Sequence, residues 1–184
     1  MLSKRASALW PGLALVAGSL AVAGTARAQA PNKDEASCRA FTQRFYDWYV
    51  ALDAQNDKTH EARTAMDVAL RLRPELFDHE LLRMLTEDSA AQAKAHGIVG
   101  LDFDAFFYSQ DPSPKFEARR AVVMNGHCRV LVRGVEQGTL QERVEPELVP
   151  RGGNWVFVNF HYPGSDLITI LKSLAADRSK PASK

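Results

Sequence analysis

The segment from Asp102 to Asp111 carries the side chains best suited to chemistry. It includes the polar residues Asp102, Asp104, Gln110 and Asp111, and its rings are Phe103, Phe106, Phe107 and Tyr108. A carboxylate that apolar neighbours desolvate has a raised pKa and can act as a general base or bind a cation. The spacing lacks the alternating oxygen ligands and the final Glu of a calcium loop. The structural alternative is a loop whose acids hold turns and whose Phe rings close one end of the fold, with Gln110 and Asp111 bound to backbone groups.

His161 and Tyr162 offer proton transfer, because the imidazole of His changes charge near neutral pH. With Tyr46 or Asp104, His161 forms the best proton-transfer set in the sequence. No sequence spacing ties these residues together. His161, Asp104 and Tyr46 are therefore candidates only, and no catalytic residue is assigned.

A third candidate is the aromatic stretch RFYDWYV, residues 44–50. Tyr46 and Tyr49 could line a ligand pocket together with Phe106, Phe107, Gln110, Asp111 and Tyr162. The alternative is that the rings form the core of the fold, since Tyr and Trp tolerate burial when their polar atoms find partners. We expect Phe45 and Trp48 to be core residues and leave both alternatives open for Tyr46 and Tyr49.

The sequence predicts neither a metal site nor a cofactor. Its His residues fall in separate predicted elements, and no Cys-x-x-Cys motif is present. Two cysteines remain, Cys38 and Cys128. In an oxidising compartment they could form a disulfide, which would close a long loop, or they could be two separate buried thiols.

The first 28 residues have the three regions of a secretory signal peptide. Lys4 and Arg5 precede an apolar run, and Ala26-x-Ala28 matches a cleavage site. The apolar run is interrupted by Gly and Pro and is too short for a membrane span. We therefore predict export to the periplasm or secretion, with a polar lead-in over residues 29–36, a single domain over 37–176 and a polar tail over 177–184.

The charge of the exported chain excludes bulk attraction to nucleic acid. Removing residues 1–28 takes away three basic residues and no acidic residue, so the net charge changes from +1 to −2. A near-neutral chain has no bulk attraction to polyanions or anionic lipid. Its length suffices for one hydrophobic core.

Helices precede strands in the hydrophobic pattern. The predicted helices span 34–53, 61–73 and 75–95; the predicted strands span 116–124, 127–134, 140–149 and 155–162; Ser165 caps a last short helix. Asn125-Gly126 predicts a tight hairpin, and Pro146 predicts an edge position or a bulge. Strict alternation in the fourth strand places Val156, Val158, Phe160 and Tyr162 on one face and Trp155, Phe157, Asn159 and His161 on the other. Segregated helices and strands predict an α+β fold with helices packed on a strongly curved four-stranded antiparallel sheet.

Four motifs resemble a bacterial envelope family catalogued as domain of unknown function 3828. They are Phe45-Tyr46-x-Trp48-Tyr49, Leu81-Leu82, Asp104-x-Phe106-Phe107-x-x-Gln110-Asp111 and Gly153-x-Trp155-x-x-x-Asn159-Phe160-x-Tyr162. That family is similar to the cone-shaped superfamily of nuclear transport factor two and ketosteroid isomerase. The resemblance implies a bent sheet around helices with a pocket at the open end, and it leaves a homodimer open. This chain lacks the lipidated Cys of the lipoprotein members, so no membrane tether is inferred.

Three functions remain open from the sequence. The leading hypothesis is an exported, non-enzymatic envelope protein that binds a protein or a small ligand through an aromatic-lined pocket. The first alternative is a small-molecule isomerase or dehydratase that uses His161 with a nearby acid or tyrosine. The second alternative is an immunity or inhibitor protein against a toxin that acts in the envelope.

Overall fold

The computed structural model describes residues 32–59 and 64–180. The predicted signal peptide, residues 29–31 of the lead-in and the last four residues of the tail lie outside this part of the chain. Within it the order is α1 Lys33–Thr59, α2 Ala65–Leu72, a 3-10 turn Pro74–Leu76, α3 His79–Gln92, β1 Phe116–Met124, β2 His127–Glu136, β3 Thr139–Arg151, β4 Asn154–Tyr162, β5 Ser165–Asp166 and α4 Leu167–Arg178. The α+β class and the helix-first order are confirmed.

Side-chain caps explain where the helices begin. Asn32 accepts hydrogen bonds from the amides of Asp34 and Glu35, so α1 starts inside the segment predicted as a lead-in. Thr64 and Asp67 form a reciprocal capping box at α2. Asp166 caps α4 by accepting from the Thr169 amide. The prediction that Ser165 caps this helix is therefore wrong.

The helix predicted over residues 75–95 is two elements. Pro74 starts a 3-10 turn that ends at Leu76, and the backbone of Phe77 then makes a parallel bridge with Phe157. Asp78 caps α3 through the amide of Glu80. The interruption between the 3-10 turn and α3 lets the chain contact β4, because the Asp78 amide donates to the Phe157 carbonyl at 2.8 Å.

The strands form one antiparallel meander in the order β1-β2-β3-β4-β5. The prediction of four strands misses the two-residue strand β5, which pairs with the end of β4. The Asn125-Gly126 hairpin is confirmed, and both residues have positive φ, 53° and 79°, as a two-residue turn of this kind requires.

Register shifts curl the sheet. One lies in β1 after Ala118, one lies between Arg133 and Val135, and one lies in β4, where Glu147 pairs with Asn159 and Leu148 pairs with Phe157. Such bulges bend a strand and increase its twist. Pro146 lies in β3, inside the sheet, so an edge position is wrong. The pairing of β3 with β2 passes over Pro146, which has no amide hydrogen to donate.

The helix α1 packs its aromatic stripe against the concave face of the sheet. Phe45 is 3% exposed and lies 4.7 Å from Phe157 and 5.4 Å from Phe106, measured between ring centroids. The start of α1 is joined to β2 by a disulfide between Cys38 and Cys128, with the Cα atoms 6.6 Å apart. Of the two alternatives for the cysteines, the structure shows the disulfide and not two separate thiols.

Candidate functional site

The predicted pocket residues fill the interior of the fold. Tyr46, Tyr49 and Phe106 are 0% exposed, Phe107 is 1% exposed and Tyr162 is 7% exposed. The hydroxyl of Tyr46 donates to the Phe106 carbonyl at 2.7 Å, and that of Tyr162 donates to the Ala105 carbonyl at 2.8 Å. Burial, with Asp104 nearby, raises the pKa of the Tyr46 and Tyr49 hydroxyls well above their ordinary value. These rings therefore pack as core, with their polar atoms satisfied.

Asp104 is the centre of the loop that the sequence selects. One carboxylate oxygen accepts the amides of Phe106 at 2.8 Å and Phe107 at 3.2 Å, and the other accepts the hydroxyl of Tyr49. Burial raises the pKa of Asp104 to about 6, although these hydrogen bonds favour the carboxylate. The side chain thus fixes the loop on α1, and it also borders an open groove.

That groove carries an acidic lining and has a volume of about 580 Å³. Four carboxylates line it, namely Asp53, Asp57, Asp102 and Asp104, and Gln110 lies at its rim. Burial and the charge of Asp57 raise the pKa of Asp53. Gln110 donates to the carbonyl of Asp102 at 2.5 Å, which agrees with the structural alternative for this residue. The side chain of Asp111 is exposed, and its backbone pairs with Ser109.

His161 does not meet Tyr46 or Asp104. Tyr162 points into the core, so its neighbour His161 points to the opposite face of β4. There His161 Nε2 lies 2.5 Å from Glu147, and His127 Nδ1 lies 2.7 Å from the other oxygen of the same carboxylate. Burial opposes ionisation of Glu147, but the His161 hydrogen bond and the charges of His161 and Arg129 outweigh it and lower its pKa. The structure therefore does not assemble the predicted proton-transfer set.

A second cleft, which no sequence pattern above predicts, opens beside α1. We call it the aromatic–arginine cleft, and it has a volume of about 460 Å³. Its lining is Phe41, Arg44, Phe45, Trp48, Arg73, Glu75, Leu76, Asn154 and Trp155. The signal was present in the sequence, because residues 41, 44, 45 and 48 recur at helical spacing along one stripe.

Three elements build this cleft. The floor is α1; one wall is the 3-10 turn; one end is the hairpin between β3 and β4, where Gly152 and Gly153 have positive φ of 58° and 83°. Trp155 donates its indole N–H to the Ser37 hydroxyl at 3.0 Å, and the guanidinium of Arg73 lies 5.5 Å from the centroid of Trp48. Large aromatic rings and guanidinium groups are thus presented together at the surface.

The described part of the chain contains no group of three or more His, Cys, Asp and Glu side chains arranged to hold a metal ion. Within residues 32–59 and 64–180, no helix combines the length and the apolar content that crossing a bilayer requires.

No family model and no curated protein sequence matches this chain. Among solved structures, one chain of the type VI native effector–immunity complex Tae3–Tai3 from Ralstonia pickettii is similar, with a TM-score of 0.51 and 18% sequence identity. The match covers 68% of this chain and 94% of that chain. At this identity the likeness shows a shared fold.

Proposed function

We propose that this protein is an exported immunity protein that binds an effector protein in the bacterial envelope and neutralises it. The observation that carries the proposal is the fold match, which spans nearly the whole length of a chain taken from an effector–immunity complex. The proposal takes up the second alternative from the sequence, an immunity or inhibitor protein, and it commits to a protein partner. The family resemblance to domain of unknown function 3828 stays a prediction beside it.

The packing of the interior argues against a small ligand bound among the predicted pocket rings. Neither the acidic groove nor the aromatic–arginine cleft is lined by Tyr46, Tyr49, Phe107 or Tyr162. A small ligand bound among these residues would have to displace rings that already contact one another, such as Tyr46 and Phe116 at 5.5 Å. Recognition at the surface requires no such displacement.

The disulfide supports export, because such bonds persist in oxidising compartments. We propose cleavage after Ala28, as the Ala26-x-Ala28 pattern indicates. N-terminal sequencing of protein recovered from the periplasm should give Gln29 as the first residue. A chain that retains Met1 after fractionation would contradict this part of the proposal.

The test of function begins with the gene neighbourhood, where an immunity protein should have a toxin gene beside its own. The product of that neighbouring gene is directed to the periplasm of a laboratory bacterium, where we expect it to stop growth or lyse the cells. Co-expression of the full chain should restore growth, whereas the chain lacking residues 1–28 should not. Failure of the full chain to protect, together with no complex by size-exclusion chromatography, rejects the function.

The enzymatic alternative has its own test. Purified protein is incubated with small carbonyl and lactone substrates, and His161→Ala serves as the comparison. Turnover that His161→Ala abolishes would favour the enzyme and count against an immunity role. We expect no turnover that depends on His161, because its imidazole is held by Glu147 on the face of β4 away from the core.

A further inference from the structure

We infer that the aromatic–arginine cleft is the docking site for an acidic segment of the effector. In this arrangement a carboxylate of the effector binds the guanidinium of Arg44, and a neighbouring aromatic or aliphatic side chain packs on Trp48 and Trp155. The inference rests on the proposed function, since it names the surface and the chemistry by which the partner would be recognised.

The charges of the cleft select an anionic partner. Arg44 is exposed and has no ion pair or hydrogen bond to any residue in the described part of the chain. Arg73 and Glu75 are paired at 2.7 Å, so they offset one another. Glu75 is the single carboxylate in the lining, and the lining therefore keeps one uncompensated positive charge. A guanidinium presents paired N–H donors that match a carboxylate.

The rings of the cleft supply apolar contact area. Phe41, Trp48 and Trp155 are only partly buried, although each packs against the core. Trp and Arg are among the residue types that dominate the binding energy of protein interfaces, and here partly exposed Trp side chains lie beside Arg. The indole N–H of Trp155 is already satisfied by Ser37, which leaves the ring available for apolar packing.

The walls of the cleft are held in place before any partner arrives. Arg151, in the hairpin, is 2.5 Å from the carboxylate of Asp78, which also caps α3. The backbone bond from Asp78 to Phe157 ties the neighbouring 3-10 turn to β4. A rigid surface loses little conformational entropy on binding, so more of the contact energy appears as affinity.

The experiment uses the full chain and the effector that the protection test identifies, with its active site inactivated. Arg44→Glu reverses the charge in the cleft and should weaken binding at least 30-fold by isothermal titration calorimetry. The matched control is Arg39→Glu, which makes the same charge change on an exposed residue of α1 outside the cleft lining. The control should bind within threefold of the unmodified chain.

Failure of the proposed function and failure of the cleft inference give different results. If the unmodified chain neither protects cells nor binds, the proposed function fails, and the inference fails with it. If the unmodified chain binds and Arg44→Glu binds within threefold of it, the cleft inference fails and the function stands. Circular dichroism and the thermal midpoint should show that Arg44→Glu remains folded, as expected for an exposed position.

Tryptophan fluorescence provides a second measurement that does not require the effector. Of the three Trp residues in the chain, Trp48 and Trp155 line the cleft and Trp10 lies in the predicted signal peptide. In the full chain with Trp10→Phe, all tryptophan emission therefore reports on the cleft. Acetyl-Glu-Phe-Asp-Phe-amide should change it saturably, and acetyl-Lys-Phe-Lys-Phe-amide should not. Equal responses to both peptides would overturn the inference. So would the absence of a saturable response to the acidic peptide up to about 10 mM, a concentration that corresponds to a binding free energy of about 3 kcal/mol.

Discussion

The hydroxyl of Tyr49 donates a hydrogen bond to the carboxylate of Asp104, across 55 residues of sequence. This contact joins α1 to the loop before β1 and holds a partly buried carboxyl whose pKa burial raises to about 6. An unfolded Asp has a pKa of about 3.9. Between these two values the native state keeps a proton that the unfolded state has lost, so the free energy of unfolding falls as pH rises.

Asp104→Asn should remove this pH dependence. The free energy of unfolding of the unmodified chain, measured relative to the Asn variant, should fall by about 2 to 3 kcal/mol between pH 4 and pH 7, since each pKa unit is worth about 1.4 kcal/mol. Urea denaturation at several pH values measures the difference. The exposed Asp111→Asn variant is the control and should run parallel to the unmodified chain. If the stability of Asp104→Asn varied with pH in parallel with that of the unmodified chain, the pKa of the Asp104 carboxyl would be ordinary.

Reduction of the disulfide should destabilise the fold strongly. Cys38 and Cys128 are 90 residues apart, and cross-linking a loop of this length stabilises the native state by about 4.6 kcal/mol in the chain-entropy model. The urea midpoint should fall when a reductant is added. The double variant Cys38→Ser/Cys128→Ser should start at the lower midpoint and not respond to reductant. Detection of two reactive thiols in denatured, unreduced protein would disprove the bond.

Gly134→Ala should destabilise the sheet by about 1 to 2 kcal/mol, the usual penalty for lost hydrogen bonds to a buried group. A Cβ at this position would lie 1.9 Å from a carboxylate oxygen of Glu142. That carboxylate accepts the amide of Ser113 at 3.0 Å and its hydroxyl at 2.6 Å. The extra methyl must displace it. In a Glu142→Ala background the same Gly134→Ala change should cost less, and additive effects in this double-mutant cycle would refute the explanation.

Arg178→Met should cost about 2 to 4 kcal/mol, because it leaves a buried carboxylate without its cation. The side chain of Asp88 is 3% exposed and lies 2.5 Å from Arg178. Arg178 also donates to the Val99 carbonyl, so the pair fixes α4 and the loop after α3. Lys180→Ala is the comparison, since its pair with Asp177 is exposed and should contribute less than about 0.5 kcal/mol. Equal losses for both variants in chemical denaturation would contradict this interpretation.

The sequence predicted the elements of the fold well because their signals are local. Helix periodicity and the Asn125-Gly126 turn depend on neighbours in the chain. The faces of β4 were predicted less well. One extra residue near Val158 breaks the alternation, so Phe157 joins Phe160 and Tyr162 in the core. The bulge depends on the pairing of β4 with β3, and no pattern within β4 itself predicts it.

The sequence could not separate a pocket from a core for a related reason. Rings such as Tyr49 and Phe106 satisfy a core and a pocket equally well in sequence, and only the three-dimensional packing separates the two. The aromatic–arginine cleft requires α1, the 3-10 turn and the β3–β4 hairpin to meet, although Arg44 and Trp155 are 111 residues apart. No pattern within one element brings these residues together.

The bond between Cys38 and Cys128 makes maturation of this protein depend on where the chain is. A copy held among cellular reductants has the same sequence but lacks the cross-link, and it resists unfolding and proteolysis less well. Material overproduced in a reducing cytosol would therefore understate the robustness of the molecule. Passage into an oxidising space would allow the cross-link to form.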